Sequence, residues 1–174
     1  MSETLLELKN LSVRYTTDGI ISRAVNNVNI TLNKGEILGL VGETGAGKTT
    51  TALSILGLLP RYTSEVEGEI IFDGENLVGA SEKKLRSIRG KRISMIFQDS
   101  MTSLNPVFRV GEQIADVLKF HDKNIKPHEI SERVDELLKM VGIPPERKVE
   151  YPHQFSGGMK QRVMIAIAIA CNPD

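Results

Sequence analysis

The sequence predicts a mixed α/β fold. Three observations carry this: short apolar runs of strand length in the first half, a glycine-rich loop between such a run and a helical pattern at 36–59, and a change to helical apolar spacing after residue 98.

Leu6-Leu8-Leu11-Val13-Tyr15 and Ala24-Val25-Val28-Ile30-Leu32 partly alternate, which predicts two strands joined by a turn at Thr16-Thr17-Asp18-Gly19. Glu36 to Val41 is a continuous apolar run and predicts a buried strand, followed by a helix over Thr50 to Leu59 with Leu53, Ile55, Leu56 and Leu59 at helical spacing. Gly68 to Gly74 predicts a further short strand closed by a turn. Ser81 to Gly90, with Lys83, Lys84, Arg86 and Arg89, reads as a short helix whose basic face is solvated, and Ile93 to Phe97 as another buried strand. Val110, Ile114, Val117 and Leu118 fall on one helix face. Ile130, Val134, Leu137, Leu138 and Val141 mark a second helix, stopped at Gly142 and broken by Ile143-Pro144-Pro145. Tyr151 to Phe155 is a loop before the last helix, so the α/β core is interrupted by a small helical insert.

Gly42-Glu43-Thr44-Gly45-Ala46-Gly47-Lys48-Thr49 fits the pattern G-x-x-x-x-G-K-[ST] in its strand–loop–helix setting. The glycines allow successive backbone N–H groups to point inward around phosphate oxygens, with Thr50 continuing into the helix. Lys48 supplies a point charge for the β- and γ-phosphates. Thr49 supplies a hydroxyl for Mg²⁺, and the helix dipole adds to the field.

The remaining composition is restrictive. Lys plus Arg and Asp plus Glu are both 22, so net charge gives no argument for nucleic acid or an anionic membrane as partner. The N-terminus lacks the pattern of a secretory signal, and the most apolar stretch, Val163 to Cys171, is too short to span a bilayer. A lone Cys171 reads as a small buried hydrophobe in a reducing compartment.

Phe155-Ser156-Gly157-Gly158-Met159-Lys160-Gln161-Arg162 opens the final helix with a natural N-cap and two glycines. Taken alone it is equally a second anion-binding helix start or a plain capped helix. Alongside the phosphate loop, the chain resembles the nucleotide-binding subunit of ATP-binding cassette (ABC) transporters, whose signature is usually Leu-Ser-Gly-Gly-Gln. The resemblance covers essentially every residue. It implies a P-loop ABC ATPase fold, with a parallel-sheet core, an N-terminal antiparallel β-region and a helical insert, divided as 1–97, 98–155 and 156–174.

The resemblance further implies that Tyr15 stacks on adenine, the alternative being a strand tyrosine packed at a sheet edge. Gln98 takes the place of a glutamine that touches Mg²⁺ and the attacking water, where alone it would be a solvent-facing loop residue. Ser156, Gly157 and Gly158 would act in trans in a head-to-tail dimer with a second ATPase subunit, beneath membrane permeases at the cytoplasmic face. Met95 to Pro106 and Tyr151 to Met159 are similar to the oligopeptide and dipeptide importers, with Ser100 where proline is common and Met159 for the signature glutamine. Nickel and glutathione importers share much of this text.

The family's downstream Asp-Glu pair and γ-phosphate histidine have no match before Asp174, so these residues are expected to bind ATP with Mg²⁺ and to hydrolyse it negligibly on their own. Two other classes compete: a soluble ABC protein of DNA repair or translation, and a non-catalytic nucleotide-binding module.

Overall fold

The computed structural model describes residues 3–98 and 103–174, which form two compact units, Met1–Arg86 and Ser87–Asp174. In the first, β1 (Thr4–Thr17), β2 (Ile20–Asn33), β3 (Ser64–Phe72) and β4 (Glu75–Asn76) make one antiparallel sheet in the order β2-β1-β3-β4. Alternation places Leu11 and Val13 of β1 and Ile70 of β3 in the core, all at 1% exposure or less. Thr17 pairs with Ile20 across a two-residue turn in which Asp18 (φ 51°) and Gly19 (φ 79°) are both left-handed, the geometry that matches strand twist.

Asn10 is also left-handed, at an irregularity in the β1 ladders. Its neighbour across the sheet is Gly68, where a Cβ would lie 2.5 Å from the carbonyl oxygens of both Lys9 and Asn10. Only glycine fits there.

The helix α1 (Lys48–Ile55) packs against β1 and β2. It begins two residues earlier than the sequence pattern suggests and stops before Gly57, and its fully buried side chains are Thr51 and Ser54, not Leu53 or Ile55. Both polar groups are satisfied locally: Thr51 Oγ1 donates to the Gly47 carbonyl (3.0 Å) and Ser54 Oγ to that of Thr51 (2.7 Å). The basic helix α2 (Glu82–Ile88) forms as expected, with Lys84 paired to Glu75 and Arg86 to Glu82.

The second unit is built on α3 (Val110–His121), α4 (Pro127–Met140) and α5 (Gly157–Ala168), joined by 3₁₀ turns at Pro145–Val149 and Pro152–Gln154. Glu112 and Glu129 accept from the backbone N–H groups of Arg109 and Lys126, both at 2.8 Å, closing the first turns of α3 and α4. Val110, Ile114, Leu137, Leu138, Ile143, Val163 and Ala166 are all at 1% exposure or less, and they hold the three helices together. Burial of each large side chain contributes about 1.5–3 kcal/mol.

Two predicted strands are absent. Residues 36–41 carry no ladder, and Ile37 and Val41 are 98% and 94% exposed. Residues 93–97 make only a single parallel bridge, Ile93 to Arg89, with Ile96 and Phe97 about half exposed. A strand exists only through hydrogen bonds to neighbours, and among the described residues neither run has a ladder partner. The parallel sheet is accordingly not seen among them, while the antiparallel region and the helical insert are. Cys171 is half-buried, not buried, and desolvation pushes its thiol above the usual range against the opposing effect of Lys91 and Arg133.

Candidate functional site

The loop from Gly42 to Thr49 lies over the first unit's sheet, and Gly47 determines how closely. Gly47 is the left-handed N-cap of α1 (φ 82°), and a Cβ there would lie 2.3 Å from the Ala24 carbonyl oxygen of β2. No side chain caps the helix. The N–H groups of Lys48, Thr49 and Thr50 make no hydrogen bond among the described residues, as expected for a first helical turn, and they are free to donate to an anion. Ala46 N–H closes the loop onto the Glu43 carbonyl at 3.2 Å.

Lys48 folds back across this loop. Its ammonium donates to the carbonyls of Gly42 (2.6 Å) and Glu43 (2.7 Å), so a positive charge is fixed inside the ring of backbone. Glu43, Thr44, Gly45 and Thr49 are exposed. The hydroxyl of Thr49 at the helix start is an oxygen donor of the kind Mg²⁺ prefers, and the free N–H groups and lysine suit phosphate; the residues present fit a Mg²⁺–nucleotide.

Tyr15 belongs to the same unit. It pairs with Ser22 of β2, two positions from Ala24, and sits two residues beyond Val13, whose β2 partner Val25 would itself be 3.3 Å from a Gly47 Cβ. Strand register thus brings the half-buried Tyr15 to the same end of the sheet as the phosphate loop.

The other expected residues lie in the second unit. Gln98 is exposed, and Asp99 to Thr102, which carry part of the importer-like text including Ser100, fall outside the described residues. Ser156 is the N-cap of α5, accepting from Met159 N–H at 3.4 Å. Gly157 and Gly158 are exposed, and a Cβ at Gly158 would meet no atom within 4 Å. One residue absent from the sequence reading borders this turn: Arg147 reaches Gln154, Phe155 and Met159. Nothing in its local spacing announces those contacts.

Residues 25–174 match the ABC transporter family, a span that includes both glycine-rich helix starts. The chain belongs to that family. Its ABC relatives include the oligopeptide transport ATP-binding protein OppD of Bacillus subtilis, 50% identical over 97% of this chain and 48% of its own length. The dipeptide transport ATP-binding protein DppD of the same organism is 49% identical over 99% and 52%. The chain thus spans about half the length of these curated relatives. Among solved structures, a dimeric bacterial ABC transporter cassette superposes with a TM-score of 0.84 at 32% identity, covering 97% of this chain and 71% of that one. The same cassette is known in a post-hydrolysis state bound to ADP and Pi. Among the described residues of this ABC chain, no helix is long and apolar enough to cross a membrane.

Proposed function

We propose that this chain is the ATP-binding part of an ABC importer for peptides, coupling ATP binding and hydrolysis to transport through membrane permeases at the cytoplasmic face. The phosphate loop carries this reading: Gly47 is seated against Ala24, Lys48 lies across the loop carbonyls, and both features suit a phosphate-binding loop. The names of the oligopeptide and dipeptide relatives support the substrate class.

In this reading residues 42–50 hold the phosphates through N–H groups and the Lys48 ammonium, Thr49 offers its hydroxyl to Mg²⁺, and Tyr15 stacks on the base. The metal, when bound, supplies charge neutralisation at the phosphates. Ser156, Gly157 and Gly158 meet the nucleotide of a second cassette, head to tail.

Titration with a fluorescent ATP analogue in the presence of Mg²⁺ tests the reading. Lys48→Ala removes a charge-assisted contact and should cost roughly 2–4 kcal/mol of binding. Equal affinity in the two proteins would refute it.

A further inference from the structure

The N-cap hydrogen bond at the start of α5 is long, at 3.4 Å, well beyond the usual N–H···O distance, so it fixes the turn at Ser156 only weakly. The residues on either side of that turn are instead gripped by one side chain. The Arg147 guanidinium donates from Nε and Nη2 to the Glu150 carboxylate (2.7–3.1 Å), from Nη2 to the Gln154 carbonyl (3.2 Å) and from Nη1 to Met159 Sδ (3.3 Å), and its Cζ lies over the Phe155 ring, 4.6 Å from the ring centre.

All these contacts converge on one rigid group: its forked N–H donors serve the carboxylate, the carbonyl and the sulfur, and its central carbon lies over the ring. The Arg147 and Glu150 side chains are only 28% and 27% exposed, so the pair is sheltered from solvent. Hydrogen bonding to Arg147 holds the Glu150 carboxyl below the usual carboxylate range. Glu150 is itself anchored, since its carbonyl accepts from Val110 N–H at the start of α3 (2.9 Å). The chain of contacts therefore runs from the buried end of α3 through Glu150 and Arg147 to both flanks of Ser156.

We infer that Arg147 is a positioning residue for the Ser156-Gly157-Gly158 turn, holding it in shape for the nucleotide of a second subunit. The inference rests on the trans role of that turn given above. Lysine cannot replace it, because an ammonium has neither the fork nor the flat face.

Amide hydrogen exchange on the full chain, combined with nucleotide-driven self-association by sedimentation, tests it. In Arg147→Met and Arg147→Lys, exchange across residues 155–160 should accelerate about tenfold or more while the amides of Leu137 and Leu138 keep their protection, and ATP-driven association should weaken by a similar factor. Glu150→Gln, which keeps the side-chain size and leaves Arg147 in place, should show the same local pattern more weakly. Unchanged exchange at 155–160, or uniform acceleration across the unit in all three variants, would overturn the inference. Local acceleration with association unaltered would overturn the trans role and leave the anchoring of the turn standing.

Discussion

Gly47 and Ala24 approach so closely that the α-carbon of one leaves no room for a methyl group against the carbonyl oxygen of the other, 2.3 Å from where a Cβ would stand. Because the obstacle is strand backbone, it cannot swing aside. Gly47→Ala therefore combines a clash with a left-handed backbone (φ 82°) and should cost about 2 kcal/mol or more of stability. Denaturant unfolding reads that loss, and the fluorescent ATP analogue should bind far more weakly even under conditions where the variant remains folded.

Leu138 is fully buried where α3, α4 and α5 meet, whereas Met140, two residues on, is 62% exposed. Leu138→Ala should destabilise the protein by about 2–5 kcal/mol and Met140→Ala by less than about 0.5 kcal/mol. Urea midpoints at constant slope measure both, and similar costs at the two positions would contradict the packing.

His121 closes α3 with its imidazole packed over Gly90, where a Cβ would lie 2.7 Å from Nε2. Burial, reinforced by Lys91, lowers its pKa below the ordinary 6.5. The unfolded chain thus takes up a proton that the folded one resists, so this contribution is complete above pH 6.5 and is lost as the pH falls from there toward the lower folded value. Thermal unfolding between pH 7.5 and 5 should decline less steeply in His121→Gln than in the parent, and parallel profiles would argue against the shift.

Ser156→Arg places a long cation where the turn should face a partner's nucleotide. Binding of the fluorescent ATP analogue by one chain should change by less than about twofold, while ATP-driven self-association should fall by about tenfold or more. Titration and sedimentation separate the two, and equal loss of both would mean that the turn serves its own chain.

What the sequence disclosed is what short segments determine by themselves. Alternation gave β1 the core residues Leu8, Leu11 and Val13 but missed Leu5; Ser156 and Gly142 marked helix ends, and the spacing of glycines around Lys48 marked the loop. The strand expected at 36–41 failed because apolar composition marks a run suited to a sheet interior, while both its burial and its pairing depend on whatever lies alongside. Thr51 and Ser54 were passed over as core residues because a polar side chain bonded to its own helix backbone is buried as comfortably as leucine. Arg147 was illegible for the same reason in reverse: its partners at 150, 154, 155 and 159 have no common spacing until a 3₁₀ turn brings them around one guanidinium.

Gly158 bears on how this protein is balanced between durability and use. Its backbone is ordinary helix and the space beside it is open, so neither conformation nor packing among the described residues demands glycine. Alanine at that position would shorten the list of conformations lost on folding and stabilise the helix by a few tenths to about 1 kcal/mol. The chain forgoes an easy gain in robustness at an exposed turn where a bare backbone would let another molecule come close.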